Sequence, residues 1–559
     1  MGDMNDQAWE APGPGPWMQD RAHLPASVTP LLQEIYPKGF AAGFSAALEP
    51  YGVLLDSMHL AFVNGFPYTQ PVPFDVPGPD GPKSPEELGA EIGRRTGLAD
   101  AAFANRIWRD TLKYWDDEAK PRSIAKHREL AAVDLPTLSD EELRAHLHQC
   151  MDHMSEMWQQ HHTYNGAALV AVGDFVLHAA GWTQRDPVPI FAVFDGWSPV
   201  SGVLNPEIAP AIEALRADPD AAALLTGDAP AAERLAKLRG QLPAVDAYVR
   251  GVGFRIAAGF DLTNPTVVER PDLVLGRLAA AFGYDADHST ERADALAAEL
   301  RDAVPEDQRA AFDDMLGEAR LVYRLRDERG LYSDSSAVGL MRLALIELGT
   351  RLFERGRIGF KYDTLDLRGA EIDAILSGSP SPTAEELAAR VASRKAASKI
   401  GAPPLLGPPP PPPPPVDALP PPLARVMSAL GFVISGVTGE APAPAGDERL
   451  VMGIGGSAGV YVGPARIVRN FDDLMELVDG EVLVTSATGE SFNSFLHVVG
   501  AIVTDHGSFA SHAAIMGREM GFPAVVGTVD GTRRIPNGAL VRVDGKAGTV
   551  EIVGFPDQD

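Results

Sequence analysis

Cysteine is nearly absent from this sequence, since its 559 residues include only Cys150. One thiol cannot form a disulfide within the chain, so we expect packing and hydrogen bonds alone to stabilise the fold. Chains without disulfides are typical of reducing compartments. The first residues, Met1 to Asp6, are partly acidic and lack the basic segment that begins an export signal. The sequence therefore predicts a cytoplasmic protein.

Positive charge is also scarce, with 48 lysines and arginines against 76 aspartates and glutamates, for a formal net charge of -28. Nucleic acids and anionic membranes are polyanions and repel such a surface. Uninterrupted apolar runs are short, and none approaches the roughly 20 residues that span a bilayer. We therefore expect neither a nucleic acid nor a membrane as a partner.

The most informative stretch is 500–527, whose pattern predicts a strand, a glycine turn, a helix and a second strand. Ser511 is a suitable N-cap for a helix that continues to about Met520 and ends at Gly521. His512 then lies in the first turn, where backbone N–H groups lack intrahelical partners and bind anions well. The same field disfavours an imidazolium, so the pattern predicts a neutral, nucleophilic histidine beside a phosphate-binding helix end.

A lone histidine at a helix start is usually a surface or capping residue, but its neighbours favour a functional role. The stretch contains, in order, Thr504-Asp505, Gly507, Ser511-His512-Ala513-Ala514-Ile515, Arg518-Glu519, Gly521 and Pro523-Ala524-Val525-Val526-Gly527. This order resembles the mobile phosphohistidine domain of the phosphoenolpyruvate-utilising enzymes and dikinases, over residues 448–555. The resemblance implies that His512 carries a phosphoryl group as a covalent phosphohistidine intermediate. It also implies a phosphohistidine loop formed by Thr504, Gly507, Ser508 and Ser511.

Three positions depart from the family pattern. Ser508 replaces the second glycine of the loop, and its side chain restricts the turn more than glycine would. Gly517 replaces the usual alanine before the Arg-Glu pair. His506, which precedes Gly507, is either a second functional group or a solvated turn residue, and the second interpretation is the simpler one.

The region before this domain is mainly helical in pattern, with apolar residues at spacings of three and four. Ser84-Pro85 and Ser139-Asp140 are typical helix starts. We predict a multidomain chain with four parts: an N-terminal extension over 1–30, a large mainly α substrate-binding domain over 31–399, a proline-rich linker over 400–447 and a C-terminal α/β swivelling phosphohistidine domain over 448–555.

The predicted linker contains eight consecutive prolines, Pro408–Pro415. Such a run favours polyproline II and would form a stiff spacer of about 25 Å. A spacer that allows the phosphohistidine domain to move is the simpler interpretation, with the flexible stretch Gly439–Gly446 permitting rotation at its end. A binding segment for SH3-like partners is the alternative.

Sparse motifs in the helical region, Arg324–Asp334 and Asp363–Leu367, resemble the substrate domain of rifampicin phosphotransferases and of the phenol- and 4-cresol-phosphorylating synthases. The resemblance implies phosphoryl transfer from His512 to a hydroxyl of a small aromatic or apolar acceptor. A phosphocarrier or regulatory protein without a small-molecule acceptor is the alternative from a different functional class.

In this superfamily the histidine is loaded by an ATP-grasp domain or by a phosphoenolpyruvate-binding barrel. A TIM barrel needs about 200 residues or more, and the helical region lacks the strand–helix alternation of a barrel. It also lacks the glycine-rich strand pairs of an ATP-grasp fold. We therefore predict one subunit of a two-component phosphotransferase, with ATP and Mg²⁺ bound by a separate ATP-grasp subunit. Phosphoenolpyruvate-dependent loading is the alternative.

The helical region supplies candidates for the acceptor side of the reaction. Four arginines are candidates to hold the transferring charge, although surface ion pairs are the simpler role for any one of them: Arg326, Arg329, Arg342 and Arg351. Three residues are candidate general bases: His161, His162 and Asp195. An aliphatic alcohol would need such a base, whereas a phenol, with a pKa of about 10, would need little help.

The predicted helix that begins at Ser139 contains several potential metal ligands. His146 and Cys150 are one turn apart and could bind one ion, but two ligands do not make a site. His153 is seven residues from His146, about 10.5 Å along a helix, which is too far to share that ion. We therefore predict no metal site in this chain.

Overall fold

The computed structural model of the chain describes residues 9–76, 81–257, 259–284, 288–412, 415–439, 448–489, 492–493, 495–496 and 498–555. A mainly helical region is followed by an α/β unit built on an eight-stranded sheet. The predicted fold class, a large mainly α domain followed by an α/β domain, is confirmed.

The helical region contains these α-helices in chain order: α1 Pro30–Leu48, α2 Pro85–Asn105, α3 Trp108–Tyr114, α4 Lys120–Ala131, α5 Asp140–Thr163, α6 Asn165–Thr183, α7 Pro187–Ile190, α8 Ala209–Ala217, α9 Pro219–Ala222, α10 Ala231–Gln241, α11 Pro243–Val252, α12 Pro271–Gly283, α13 Ser289–Ala303, α14 Arg309–Tyr323, α15 Leu325–Leu331, α16 Asp334–Glu354, α17 Gly369–Leu376, α18 Ala384–Ile400 and α19 Pro421–Thr438. The two predicted helix starts are confirmed, because Ser84 and Ser139 each form a capping box with the glutamate three residues later. These caps satisfy backbone N–H groups that the helix itself leaves unpaired.

A small sheet joins the N-terminal segment to the helical domain. Its strands are β1 Trp17–Gln19, β2 Leu55–Val63, β3 Phe66–Pro73 and β4 Leu405–Leu406, in the order β2-β3-β1-β4. Trp17 is buried with Phe66 and Tyr68. The prediction of a separate extension over 1–30 is therefore corrected for residues 9–30, because burial of this indole makes the segment part of the domain.

The predicted linker, 400–447, is corrected in the same way. Strand β4 pairs with β1, and α19 packs along α6 with Leu423, Val426 and Val433 in the main hydrophobic core. The described part of the proline run, 408–412 and Pro415, therefore lies between two segments that are both anchored to the helical domain. A tether that lets the C-terminal domain move must follow Thr438. The predicted flexible stretch, apart from Gly439, lies outside the described residues.

The close contact between α6 and α19 should make the stability of the protein sensitive to a larger side chain at Gly173. A Cβ on Gly173 would collide with the carbonyl oxygen of Ala429. We expect Gly173→Ala to lower the free energy of unfolding by about 1–3 kcal/mol through overpacking, measured by urea denaturation. Gly181→Ala, on the exposed end of the same helix with no atom near its Cβ, is the matched control. The control should be neutral or stabilising by up to about 1 kcal/mol, and equal effects of both changes would contradict the packing of α19.

The C-terminal domain is organised around parallel strands. Its strands are β5 Leu450–Met452, β6 Ile454–Ser457, β7 Val460–Val468, β8 Glu481–Thr485, β9 Val499–Thr504, β10 Ala524–Val526, β11 Leu540–Asp544 and β12 Thr549–Gly554, and its helices are α20 Phe471–Met475, α21 His512–Met520 and α22 Gly531–Arg534. The sheet order is β5-β12-β11-β7-β8-β9-β10-β6, with β7 to β10 parallel. Alternate residues of β8 and β9 enter cores on opposite faces of the sheet.

Two helical segments are long and apolar enough to cross a membrane by length and composition alone. They are Asp140–Thr183, which comprises α5 and α6, and Pro421–Thr438. Both pack within the helical domain, and a core helix of a soluble protein has the same length and composition. The expectation of no membrane partner stays a prediction.

Candidate phosphohistidine site

His512 lies where the parallel strands place functional groups, at the carboxyl edge of the sheet. Strand β9 ends at Thr504, and the loop after it leads to His512, the first residue of α21. Strand β8 ends at Thr485, and the loop after it carries Thr488 and Asn493. Because β8 and β9 are neighbours, these two loops meet at one edge.

Both ring nitrogens of His512 have partners from the β8 loop. Nδ1 lies 3.0 Å from Oγ1 of Thr488, and Nε2 lies 2.8 Å from Oδ1 of Asn493. Burial, assisted by the charge of Arg326, lowers the pKa of His512 to about 3. The imidazole is therefore neutral at pH 7, in agreement with the nucleophile predicted from its position at the start of a helix.

The predicted loop residues shape the turn before His512. Gly507 has a φ of 108°, and a Cβ at that position would lie 2.7 Å from Cβ of Ser511. Glycine is therefore required there, whereas Ser508 is not among the residues with positive φ. Oγ1 of Thr504 donates to the carbonyl of His506 and closes the start of the turn. Oγ of Ser511 is buried and has no hydrogen-bond partner among the described residues, so it can donate to a phosphoryl oxygen on His512.

The phosphohistidine helix is docked on the helical domain by polar contacts at its C-terminal end. Nε of Arg518 donates to both oxygens of Asp195, at 3.2 and 3.0 Å. Glu519 accepts from the backbone N–H of Gly196 at 2.9 Å and from Oγ of Ser201 at 3.2 Å. Nη2 of Arg292 donates to the carbonyls of residues 518 and 519. We call these contacts the docking latch.

The docking latch contains a group that titrates near neutrality. Burial, opposed by the hydrogen bond from Gly196 and assisted by the nearby charge of Asp195, raises the pKa of Glu519 to about 7. Because the docked state binds this proton more tightly than a solvated carboxyl does, docking is favoured at low pH and weakens as the pH rises through about 7.

Apolar contacts support the same docked arrangement. Phe509 packs against Phe191 and Phe432 with ring centroids 5.5 and 5.1 Å apart. The N–H of Ala510 donates to the carbonyl of Gly436 at 2.8 Å, near the end of α19. Phe509, Ala510 and Ile515 join the main core of the helical domain. His512 is thus held against the domain that the sequence assigns to the acceptor.

Arg326 is the predicted arginine that the structure places at this site. It forms an ion pair with Asp327 at 2.7 Å, its guanidinium lies 5.3 Å from the ring centroid of Tyr323, and its charge lowers the pKa of His512. Arg329 follows one turn later on α15 and donates to the carbonyl of His161 at 3.4 Å. Helix α15 therefore contacts α5 and carries an arginine whose charge lowers the pKa of His512.

His161 and His162 lie on that facing helix. Nδ1 of His161 is 2.7 Å from Oδ1 of the buried Asp334, and Nε2 of His162 is 3.1 Å from the hydroxyl of Tyr36. Burial lowers the pKa of both histidines well below the ordinary value, with Arg329 contributing. Both are therefore neutral at pH 7, as a general base must be.

The other predicted site residues have structural partners. Asp195 binds Arg518 and so belongs to the docking latch rather than to the acceptor side. Arg351 binds Glu347 at 2.8 Å and Asp140 at 3.1 Å near the start of α5, and Arg342 binds Glu269. These two arginines are therefore placed in ion pairs away from His512.

His506 is half-buried on the side of the loop that faces the N-terminal segment. Burial and the nearby Arg21 lower its pKa to about 4. No described hydrogen bond joins its ring to His512. His506 is a half-buried loop residue and not the solvated one of the simpler interpretation, and a functional role for it stays untested.

Several residues of the site were not predicted as functional. Arg518 and Glu519 belong to the motif that carries the family resemblance, and Thr488 belongs to the strand motif that matched the family, so a signal for these three existed. The others were missed because no local pattern distinguishes them from ordinary surface polar residues: Asn493, Asp327, Asp334 and Arg292.

A metal ion is not indicated by the described residues, because they contain no group of three or more His, Cys, Asp or Glu side chains suited to binding one. His146 and Cys150 do lie within 3.5 Å of each other, as their spacing predicted. They remain a pair without further ligands in this part of the chain.

Known protein families match both the C-terminal domain and part of the helical domain. Residues 477–548 match the mobile domain of the PEP-utilising enzymes, and residues 201–327 match the rifampicin phosphotransferase fourth domain. The chain is 28% identical to a chondramide synthase of Chondromyces crocatus, over 96% of this chain and 14% of that protein. It is 27% identical to the rifampicin phosphotransferase of Streptomyces sviceus, over 57% of this chain and 36% of that protein.

A shorter match covers the C-terminal domain. The phosphoenolpyruvate synthase of Aeropyrum pernix is 41% identical over 18% of this chain and 13% of its own length. The chain thus spans between 13% and 36% of the length of these three relatives. The family resemblance predicted from the sequence is confirmed, and the names of the relatives agree with the predicted enzyme class, a phosphotransferase.

Proposed function

We propose that this chain passes a phosphoryl group from His512 to a hydroxyl of a small acceptor, because parts of it match the mobile domain of the PEP-utilising enzymes and the rifampicin phosphotransferase fourth domain. The acceptor binds to the helical domain. The observation that carries this proposal is the docked arrangement, in which His512, at the N-terminus of α21, is held against the helical domain by Arg518, Glu519 and Phe509.

Each group at the site has its own role in the transfer step. Phosphorylation at Nε2 displaces the contact with Asn493, while Nδ1 keeps its contact with Thr488. Backbone N–H groups at the start of α21, Oγ of Ser511 and the guanidinium of Arg326 stabilise the negative charge on the phosphoryl oxygens. Such transfers depend mainly on in-line positioning and on stabilisation of charge, and this chain supplies groups for both.

Loading of His512 is proposed to occur on a separate subunit of ATP-grasp type, which would bind ATP and Mg²⁺. The C-terminal domain must then leave the docking latch, so that His512 alternates between the two proteins. The proline-rich segment anchors α19 in this scheme, and the residues after Thr438 act as the tether. We also propose a cytoplasmic location, which the acidic surface and single thiol support.

A loading experiment tests the proposal. We expect the purified chain to show no binding of Mg-ATP in a calorimetric titration, because the ATP site lies on the partner. Adding an ATP-grasp protein encoded beside it should produce an acid-labile phosphate on His512, detected by mass spectrometry.

Two other outcomes of the loading experiment would each support a different function. Loading by phosphoenolpyruvate with its own enzyme, and not by ATP, would replace the ATP-grasp partner. Efficient loading without any transfer to a hydroxyl compound would favour a phosphocarrier or regulatory protein.

A further inference from the structure

A buried His–Asp pair lies next to α15, the helix that carries Arg326. Asp334 is the first residue of α16, is fully buried, and contacts Nδ1 of His161 through Oδ1. The side chain of His161 stays 17% exposed. Because Nδ1 is occupied, Nε2 is left for another molecule, and it has no hydrogen-bond partner within the described ranges.

Ring contacts connect α15 to the loop that precedes His512. The guanidinium of Arg326 lies 5.3 Å from the ring centroid of Tyr323, whose ring contacts Phe191, and Phe191 packs against Phe509. On the same helix, Arg329 donates to the backbone of His161. The side chain of Arg326 is 13% exposed, so it also retains access to a molecule between the two domains. A hydroxyl placed between α5 and α15 would therefore meet both a neutral imidazole and an arginine.

Aromatic rings surround the neighbouring His162 and form an apolar wall next to the pair. The ring of His162 lies 4.7 Å from that of Phe40 and 4.8 Å from that of Phe44, and Tyr36 lies 3.9 Å from Trp158. Phe44 is only partly buried, so part of this wall is accessible. Rings of this kind bind an apolar body rather than a sugar or a second charged group.

We propose, resting on the proposed function, that the acceptor is an apolar aliphatic alcohol whose hydroxyl is deprotonated by His161, with Asp334 as the positioning residue. The alcohol oxygen forms the new bond to phosphorus as the bond from phosphorus to Nε2 of His512 breaks. The hydroxyl proton goes to Nε2 of His161. The electron pair of the broken bond stays on His512, which leaves as a neutral imidazole with its Nδ1 proton directed to Thr488.

A general base at this position favours an aliphatic alcohol over a phenol as the acceptor. A phenol has a pKa of about 10 and loses its proton readily during transfer, so it gains little from a general base. An alcohol is far less acidic and requires one. A histidine whose tautomer is set by a buried carboxylate is the arrangement that activates a hydroxyl elsewhere in proteins, and it would be unnecessary for a phenol.

The His161–Asp334 pair also makes the rate of phosphoryl transfer depend on pH. Burial raises the pKa of Asp334 to about 8. Below that pH its carboxylic acid donates to Nδ1 of His161, so Nε2 carries the hydrogen and cannot accept a proton. Above it the carboxylate accepts from Nδ1 and Nε2 becomes the base. The charged and titratable groups that face the pair are His162, Tyr36, Arg329 and His23.

The test uses the full chain, loaded on His512 with phosphoramidate so that no partner is needed. The probes are apolar primary alcohols and their isomeric phenols, such as 4-methylbenzyl alcohol and 4-ethylphenol. Phosphorylated products are measured by mass spectrometry across pH 6 to 9. His161→Asn keeps a donor for Asp334 but removes the base. His148→Asn is the matched control, since His148 also pairs with an aspartate, Asp373, on an exposed part of the same helix.

We expect the wild-type chain to phosphorylate the alcohols, with a rate that rises through about pH 8. His161→Asn should slow this transfer roughly 10²–10⁴-fold and remove the rise, while loading of His512 stays unchanged. The control should behave as wild type. Transfer to phenols alone would overturn the proposed acceptor class. Equal transfer to alcohols by the His161 variant would overturn the role of His161 as the base. Neither result would contradict phosphotransfer from His512. Transfer from loaded wild type to neither probe class would overturn the proposed function as well.

Discussion

Replacing His512 by asparagine is expected to abolish both acid-labile phosphorylation of the chain and formation of a phosphorylated product. Asparagine retains a polar side chain at the start of α21 but has no nitrogen that can form the phosphoryl bond. Phosphorylation by phosphoramidate, or by ATP with an ATP-grasp protein, can be followed by mass spectrometry and by phosphorus NMR. The thermal unfolding midpoint should change little, because the imidazole is only partly buried and leaves no large cavity when it is replaced.

His506→Asn is the matched control for this change. The second histidine lies in the same loop, and we expect its variant to be loaded and to transfer at near wild-type rates. If the His512 variant were still labelled and the His506 variant were not, the assignment of the phosphohistidine would be wrong.

Replacing Arg326 by methionine is expected to reduce the rate of transfer to the acceptor roughly 10²–10³-fold. Its guanidinium is the positive group of the helical domain whose charge reaches His512, and it would stabilise the phosphoryl oxygens as the bond breaks. Loading of His512 by phosphoramidate should be unaffected. Single-turnover transfer from the loaded chain measures the two steps separately.

Two further variants distinguish a role in transfer from a role in folding. Arg326→Lys retains the charge beside the buried Asp327 and should recover part of the rate. Arg351→Met removes an arginine of the same helical domain that binds Glu347 and Asp140, and it should leave transfer unchanged. Equal losses from the Arg326 and Arg351 variants would show that the effect comes from destabilisation of the domain.

The phosphohistidine helix shows how far local sequence signals extend. Ser511 as N-cap, Gly521 as the left-handed C-cap and the apolar strands on either side are properties of neighbouring residues. They were therefore sufficient to predict the bounds of α21. The same holds for the helices that begin after Ser84 and Ser139, because a capping box involves residues only three positions apart. The neutral state of His512 was predicted from its position at the helix start, whereas its pKa is lowered mainly by burial, which depends on tertiary packing.

The proline-rich segment shows where composition alone was misleading. Eight prolines do favour a stiff, extended chain. Whether that chain is a tether depends on whether its flanking segments bind the domain. Helix α19 is buried against α6, and β4 pairs with β1. These are contacts between segments that are distant in the sequence, and composition does not predict them.

By itself, the sequence determined the helical and α/β character of the two parts and the glycine turn before His512, because these depend on residues close together in the chain. Only the tertiary structure decided which polar side chains act with His512. Asp195 became part of the docking latch, Arg351 was placed in a remote ion pair, and His161 found Asp334 at a separation of 173 residues. Ion pairs and His–Asp pairs between distant segments depend on how helices pack, and their charged residues resemble surface residues until that packing is known.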